Sequence, residues 1–168
     1  GIHANGLSLA RKLAERLPAG YLSALGSGQS YGEALLEPTP LYAPALQAVF
    51  EAGIVPHYCA NITGHGWRKV MRHPGAFTYR FGTLAPVPPV LSYLQQAARL
   101  SDAEAYGTFN MGAGFALFVS AADAQRTVDV AESQGVKAMI AGHVEAGPKR
   151  LIIEPLNVEF GDDALQLR

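Results

Sequence analysis

Charge is scarce in this chain and cysteine almost absent. Of 168 residues, 13 are Lys or Arg and 14 are Asp or Glu, 16% together, and the formal net charge is -1. Binders of nucleic acid or membrane surfaces need clustered cations, so this balance predicts neither partner. Cys59 is the single cysteine. It excludes an intramolecular disulfide and suits a reducing compartment. No apolar run approaches the roughly 18–20 residues that span a bilayer, and no signal-peptide pattern heads the sequence. A cytoplasmic protein is expected. The Walker pattern Gly-x-x-x-x-Gly-Lys-Ser/Thr is missing. His57, His73 and His143 have neither the i, i+4 spacing nor the neighbouring carboxylates of a metal site, so no metal ligands are expected and these residues read as structural.

The bulk of the sequence is apolar: 49% of residues are hydrophobic. That share excludes disorder, and the length suits one domain, residues 1–168, with a real core. So thinly charged a surface predicts contact with another domain or subunit. The opening Gly1-Ile2-His3-Ala4-Asn5-Gly6 puts an imidazole, an amide and two glycines where termini usually carry little chemistry. It reads as part of a site, and it predicts further sequence upstream.

Leu7 to Leu17 has helical spacing, with Asn5 as N-cap and Pro18 to Gly20 as the stop. Gly26 to Gly32 reads as a flexible connector. Thr39-Pro40 predicts a helix start, the helix running to Gly53. His57 to Ile62 is a predicted strand and Trp67 to His73 a helix. Ala76 to Phe81 alternates as a half-buried strand. Another helix is predicted from Pro88-Pro89 to about Leu100, and Ser101 with Glu104 forms a capping box for one more. Ala113 to Val119 is a predicted strand. Ser120 caps a helix that carries Ala124, Val128 and Ala131 on one face and stops at Gly135. Val136–Val144 and Leu151–Ile153 are predicted strands joined as a hairpin through Glu145 to Lys149. Asn157 to Arg168 is either an edge strand or a tail. The fold class is α/β (α+β-like), a mixed β-sheet flanked by helices.

Several segments have the composition of ligand loops. Thr63-Gly64-His65-Gly66 sits between a strand and a helix, where glycine lets backbone amides approach phosphate and a helix N-terminus favours an anion. A plain tight turn is the alternative. His65 is either an acid/base or phosphate donor of near-neutral pKa, or simply exposed. His3, with Asn5 beside it, is the better candidate for direct chemistry. In Thr108-Phe109-Asn110-Met111-Gly112-Ala113-Gly114, Asn110 either binds ligand or braces the turn. Arg68, Lys69, Arg72 and Arg80 form a small basic cluster that either receives a phosphate or is a solvated face.

In this order the segments resemble the C-terminal domain of aminoimidazole ribonucleotide synthetase (phosphoribosylformylglycinamidine cyclo-ligase), of the PurM-like superfamily. Gly1-Ile2-His3-Ala4-Asn5-Gly6-Leu7-Ser8-Leu9 is similar to the family's Ser-Ser-Gly-Leu/Ile-His-Ser-Asn-Gly-Tyr-Ser-Leu. Leu35-Leu36-Glu37-Pro38-Thr39-Pro40-Leu41-Tyr42 is similar to its Leu-Leu-x-Pro-Thr-x-x-Tyr. Pro88-Pro89 and Thr108-Phe109-Asn110-Met111-Gly112 match two further segments. The glycine turn departs from the family's His-Ile-Thr-Gly-Gly-Gly-Leu-x-x-Asn followed by Pro-Arg. Asn61 stands for the histidine, His65 for the middle glycine, Trp67 for the leucine, Val70 for the asparagine and Arg72-His73 for Pro-Arg. Such changes suit a paralogue; the superfamily also holds selenophosphate synthetase, thiamine-monophosphate kinase and a hydrogenase maturation factor.

The resemblance implies a two-domain, homodimeric enzyme that uses ATP and Mg2+, whose N-terminal domain carries most of the acidic ATP-binding residues. This chain would close the cleft, with ATP and Mg2+ bound only in the full-length enzyme. The implied reaction phosphorylates an amide oxygen of formylglycinamidine ribonucleotide and closes an imidazole ring, by positioning and charge neutralisation more than by a covalent nucleophile. The implied partners are a small phosphorylated substrate and the protein's own N-terminal domain. On this reading His3 is catalytic, and Asn5, Thr63, Gly64, His65, Gly66, Asn110 and Gly112 bind substrate or phosphate. A non-catalytic binding or assembly domain of the same fold is the reading from another class.

Overall fold

The computed structural model describes residues 1–3, 5–26 and 28–165. Ala4 in the opening motif, Ser27 in the expected connector and the last three residues of the expected edge strand or tail lie outside the described residues. The chain divides into two compact units.

The first unit comprises Gly1–Thr39, Ile62–Lys69 and Ala85–Gly114, and its regular elements are helical. Helix α1 is Leu7–Ala14, α2 is Tyr31–Leu35, α4 is Pro89–Ala97 and α5 is Asp102–Tyr106. Helix α1 buries Ala10, Leu13 and Ala14 and keeps Arg11 and Lys12 in its exposed last turn, where cations suit the helix dipole. Its cap is not Asn5, as expected, but Gly6 in the left-handed conformation at φ 65°. The expected connector is also more ordered than glycine content suggests. Ser30 accepts from the Glu33 amide and Glu33 reaches back, a capping box that starts α2. The Ser101–Glu104 box starts α5 as expected.

Tyr31 is the centre of the helical packing. It is fully buried, its hydroxyl donates to the Ala10 carbonyl at 3.0 Å, and its ring lies 5.6 Å from that of Tyr93. Burial, with smaller contributions from Tyr21 and Tyr93, pushes its pKa up to about 12. Leu91 and Leu94 of α4 are fully buried, as are Phe109 and Trp67 of the same unit. Each such side chain contributes about 1.5–3 kcal/mol on leaving water.

The second unit comprises Pro40–Asn61, Val70–Leu84 and Phe115–Arg168. Helix α3 is Ala43–Glu51 and packs on α6, Ala124–Ser133. The strands are β1 Tyr58–Asn61, β2 Phe77–Phe81, β3 Phe115–Phe118, β4 Gly142–Ala146, β5 Arg150–Ile153 and β6 Val158–Gly161. Strands β1 and β3 pair antiparallel, Tyr58 opposite Phe118. The other four form a mixed sheet in the order β4-β2-β5-β6, with β2 and β5 parallel. One face carries Tyr79, Phe81, Leu151 and Ile153, all buried. The opposite face carries the ion pairs Arg80–Glu145 at 2.7 Å and Arg150–Glu159 at 3.3 Å.

The observed topology corrects several expectations. Strands β4 and β5 form no hairpin, because β2 lies between them. The sheet is mixed through the parallel β2–β5 pair, and the hairpin is β5–β6, the expected edge strand. Residues 136–141 precede β4 without strand structure. Helix α3 starts at Ala43 after Tyr42, with Pro44 in its first turn, not at Thr39-Pro40. Proline suits a first helical turn, and it is Pro44 that occupies it here. Thr78 is buried although it alternates as polar, because its hydroxyl donates to the Pro148 carbonyl at 2.9 Å.

Leu94→Ala should lower unfolding free energy by about 2–5 kcal/mol. Denaturant titration checks it, and a cost below about 1 kcal/mol would contradict the assigned core.

Candidate functional site

The eight expected site residues all fall in the helical unit, where three loops meet. The first is the opening segment before α1, the second the turn 63–66 after β1, and the third the loop 107–112 after α5. Asn110 fastens them. It is fully buried, its Nδ2 donates to the Gly1 carbonyl at 3.3 Å, and its Oδ1 accepts from the Gly112 amide at 2.8 Å. Its own carbonyl accepts from the Trp67 indole at 2.8 Å. One residue thus ties all three loops.

The glycine turn sits directly on the third loop. Gly66 has φ 56°, and a Cβ there would lie 2.1 Å from the Tyr106 carbonyl oxygen. Only glycine fits both the angle and the approach. Trp67, the next residue, is 1% exposed, and its ring lies 5.3 Å from that of Tyr106. Arg68 donates to the Gly107 carbonyl through Nη2 at 2.7 Å and through Nε at 3.1 Å. Gly6 completes the frame: a Cβ on it would overlap the Phe109 ring.

Backbone strain concentrates in these loops. The non-glycine residues in the left-handed region include His3 at 54°, His65 at 76° and Met111 at 45°, one in each loop. Such conformations cost energy and persist where the surroundings over-determine them, often at functional sites. The sequence carried no signal for them.

The eight residues separate into two groups. Asn110, Gly112 and Gly66 are frame, each used by internal contacts. The other five, His3, Asn5, Thr63, Gly64 and His65, form the candidate ligand group, in which Thr63 accepts from Lys69 and His3 also has a partner within the chain. Gly64 and His65 are exposed and Thr63 partly so. Asn5 is 7% exposed, yet its Nδ2 has no hydrogen-bond partner among the described residues. Its Oδ1 lies 3.7 Å from where a Gly64 Cβ would stand, so the carboxamide rests against the glycine turn. A buried donor left unmade costs about 1–3 kcal/mol, and a ligand oxygen would recover it. Burial, and secondarily the chain's amino group, lowers the His3 pKa from its usual 6.5. His3 is therefore neutral at pH 7, with one nitrogen donating and one accepting.

The geometry of this turn corrects one expectation and bears on the two alternatives left open for the basic cluster. The element after it is a 3-10 helix, Gly66–Arg72, only seven residues long, so the site has no helix dipole of consequence. The basic cluster is not a free cationic patch either. Arg68 braces Gly107, and Arg80 is paired with Glu145 and Glu154. Lys69 donates to the Thr63 hydroxyl. That contact was not anticipated as part of the site; the Thr63-to-Lys69 spacing carries no known pattern. Among the described residues no group of three or more His, Cys, Asp or Glu is placed to share a metal ion.

The family model for "AIR synthase related protein, C-terminal domain" matches residues 1–154, nearly the whole chain and all three loops. The chain belongs to this family. Relatives of known name agree. Phosphoribosylformylglycinamidine cyclo-ligase of Methanococcus vannielii is 34% identical over 147 residues, 86% of this chain and 42% of the relative. The enzyme of the same name from Agathobacter rectalis is 34% identical over 156 residues, 89% and 45%. That from Methanocaldococcus jannaschii is 34% identical over 146 residues, 86% and 42%. The chain spans less than half the length of these curated relatives. The α/β architecture with a mixed sheet agrees with the family. Among the described residues, no helix is long and apolar enough to cross a membrane.

The frame and the ligand group should separate by mutation. Asn110→Ala should cost about 1–3 kcal/mol, because it strands the Gly112 amide. Asn5→Ala should cost no more than about 1 kcal/mol, since its Nδ2 makes no bond to lose. Thermal denaturation of both variants checks this, and the reverse order would contradict the assignment.

The lowered His3 pKa also has a sign. The unfolded chain takes up a proton near pH 6.5 that the folded chain resists, so stability falls as pH drops below 6.5. His3→Asn should remove that part of the acid slope in urea melts from pH 7.5 to 5.5 (roughly the imidazole range). An unchanged slope would contradict the burial of His3.

Proposed function

We propose that this domain forms one wall of the active site of an ATP-dependent cyclo-ligase that makes aminoimidazole ribonucleotide from formylglycinamidine ribonucleotide. The carrying observation is the buried, unpartnered Nδ2 of Asn5 beside Gly64 in the Thr63–Gly66 turn. A donor of that kind, beside the exposed residues Gly64 and His65, suits phosphate or carbonyl oxygens. The group includes no carboxylate, so it fits a nucleotide's phosphoryl oxygens but not its Mg2+, which acidic residues of an upstream domain would hold.

ATP, when bound, supplies the phosphoryl group that turns an amide oxygen into a leaving group. Asn5 Nδ2 would donate to a substrate oxygen and fix its position. The Gly64 and His65 amides would face phosphoryl oxygens, and neutral His3 would exchange a proton with the reacting nitrogen or amide. The frame residues contribute by holding these donors in place before substrate arrives, which is where such catalysis gains most. The full-length protein is proposed to be a cytoplasmic homodimer acting in purine biosynthesis.

A second reading has its own support. His65 holds an exposed imidazole in a left-handed conformation within the turn, where it would meet a ligand directly. That favours a paralogous enzyme with another small phosphorylated or amide-bearing substrate.

One experiment separates them. The full-length protein should turn over formylglycinamidine ribonucleotide with ATP, and Asn5→Ala should lower kcat/KM by roughly 10–100-fold. The 168 residues alone should show no turnover. Normal ATP binding without turnover of this substrate would support the paralogue reading. Turnover by the isolated chain would overturn the proposal.

A further inference from the structure

Strand β4 is the one element of the mixed sheet whose five residues, Gly142 to Ala146, are all exposed. It stands at the sheet edge, bonded to β2 alone. An edge of unpaired N–H and C=O groups is a template for another strand, and proteins usually blunt it with Pro, Lys or a covering loop. Gly142-His143-Val144-Glu145-Ala146 contains neither Pro nor Lys.

The parity of the ladder says which groups are free. The Gly82 amide donates to the Ala141 carbonyl at 3.0 Å. The register continues from there as Phe81 opposite Gly142 and Arg80 opposite His143. In an antiparallel ladder alternate residues bond inward. Ala141, His143 and Glu145 therefore face β2, and the amides and carbonyls of Val144 and its second neighbours face outward.

We propose that β4 is a self-pairing edge, and that two copies of this chain join antiparallel about a twofold axis through Val144. The sequence of the strand selects this occupant. Pairing centred on Val144 sets Val144 opposite its symmetry mate, and Gly142 opposite Ala146 of the second copy. His143 then falls opposite Glu145 of the second copy, and Glu145 opposite His143, in the close non-hydrogen-bonded positions. An imidazole N–H thus meets a carboxylate twice. The same face already carries Arg80 against Glu145 and Arg150 against Glu159, so the new pairs extend an existing ladder of opposite charges. On the other face, Val144, 39% exposed, would meet its mate beside Tyr79, its partner on β2.

The opposite edge lacks this complementarity. Strand β6 carries Glu159 and leads into Asp162 and Asp163, so a second copy there would bring acid against acid. Pairing β4 to β6 would be heterologous and would build open chains. Of the pairings open to the two edges of this sheet, β4 on β4 closes with favourable charge.

Sedimentation equilibrium on the 168-residue chain tests this. A dimer should assemble within roughly 0.1–1 mM, as expected for a small interface of one strand pair. Val144→Pro removes the outward amide at the axis without touching a β2 bond, and should weaken the dimer at least ~10-fold. His143→Glu, which sets acid opposite acid, should weaken it by roughly 5-fold, and His143→Lys should retain it. Circular dichroism melts establish that each variant folds, and the His143 pair keeps the test decisive if Val144→Pro does not. A chain that stays monomeric at 1 mM (about the weakest affinity such an edge implies) overturns the proposal. So does a dimer that His143→Glu and Val144→Pro leave unchanged.

Discussion

The site depends on the burial of one amide side chain. Asn110 has no exposure to water, and leaving a buried carboxamide unbonded costs about 1–3 kcal/mol per group. Its partners are the carbonyl of Gly1, the amide of Gly112 and, through its own carbonyl, the indole of Trp67. These lie far apart in sequence, so satisfying Asn110 brings the loops together. The costly left-handed conformations at His3, His65 and Met111 are held by the same closure. Among the described residues the Asn5 carboxamide, one step outside this network, keeps an unused donor, as does the Ser23 hydroxyl elsewhere in the same unit. The frame is saturated and the residue beside it is not, which is the pattern expected of a preorganised binding wall.

Local signals were well written in the sequence. The Ser101–Glu104 box and the β2 strand arise from side chains within a few positions of each other and form as expected. Ser120 caps the 3-10 turn Ala121–Asp123 that leads into α6, whose own cap is Asp123. The glycine turn and the opening motif were legible as site segments because small and polar residues interrupt apolar ones. Non-local facts were not legible. Nothing in the stretch Val136 to Ile153 reveals that β2, far upstream in the chain, inserts between β4 and β5, since pairing is decided by which edges bury the most apolar surface. Nor does Asn110 differ by local sequence from a ligand residue; its role comes from contacts 43 and 109 positions away.

The basic residues show how geometry redirects chemistry. Arg68 and Lys69 are neighbours after the glycine turn, yet Arg68 clamps the Gly107 carbonyl while Lys69 turns back onto Thr63. The planar guanidinium suits a fixed carbonyl, and the flexible ammonium can remain near a ligand's path. With no helix dipole behind the turn, side chains and single amides must supply its polarity. Of the residues that depart from the family's turn, His65 is exposed whereas Trp67 is buried and donates to the Asn110 carbonyl.

The central claim, that Asn110 closes the three loops, is tested most directly by hydrogen exchange at the Trp67 indole and Gly112 amide in Asn110→Ala. The account predicts that the Gly112 amide loses its protection and that the indole exchanges faster as the loops loosen, while amides of the β2–β5 pair keep theirs. Unchanged protection at both Trp67 and Gly112 would contradict it.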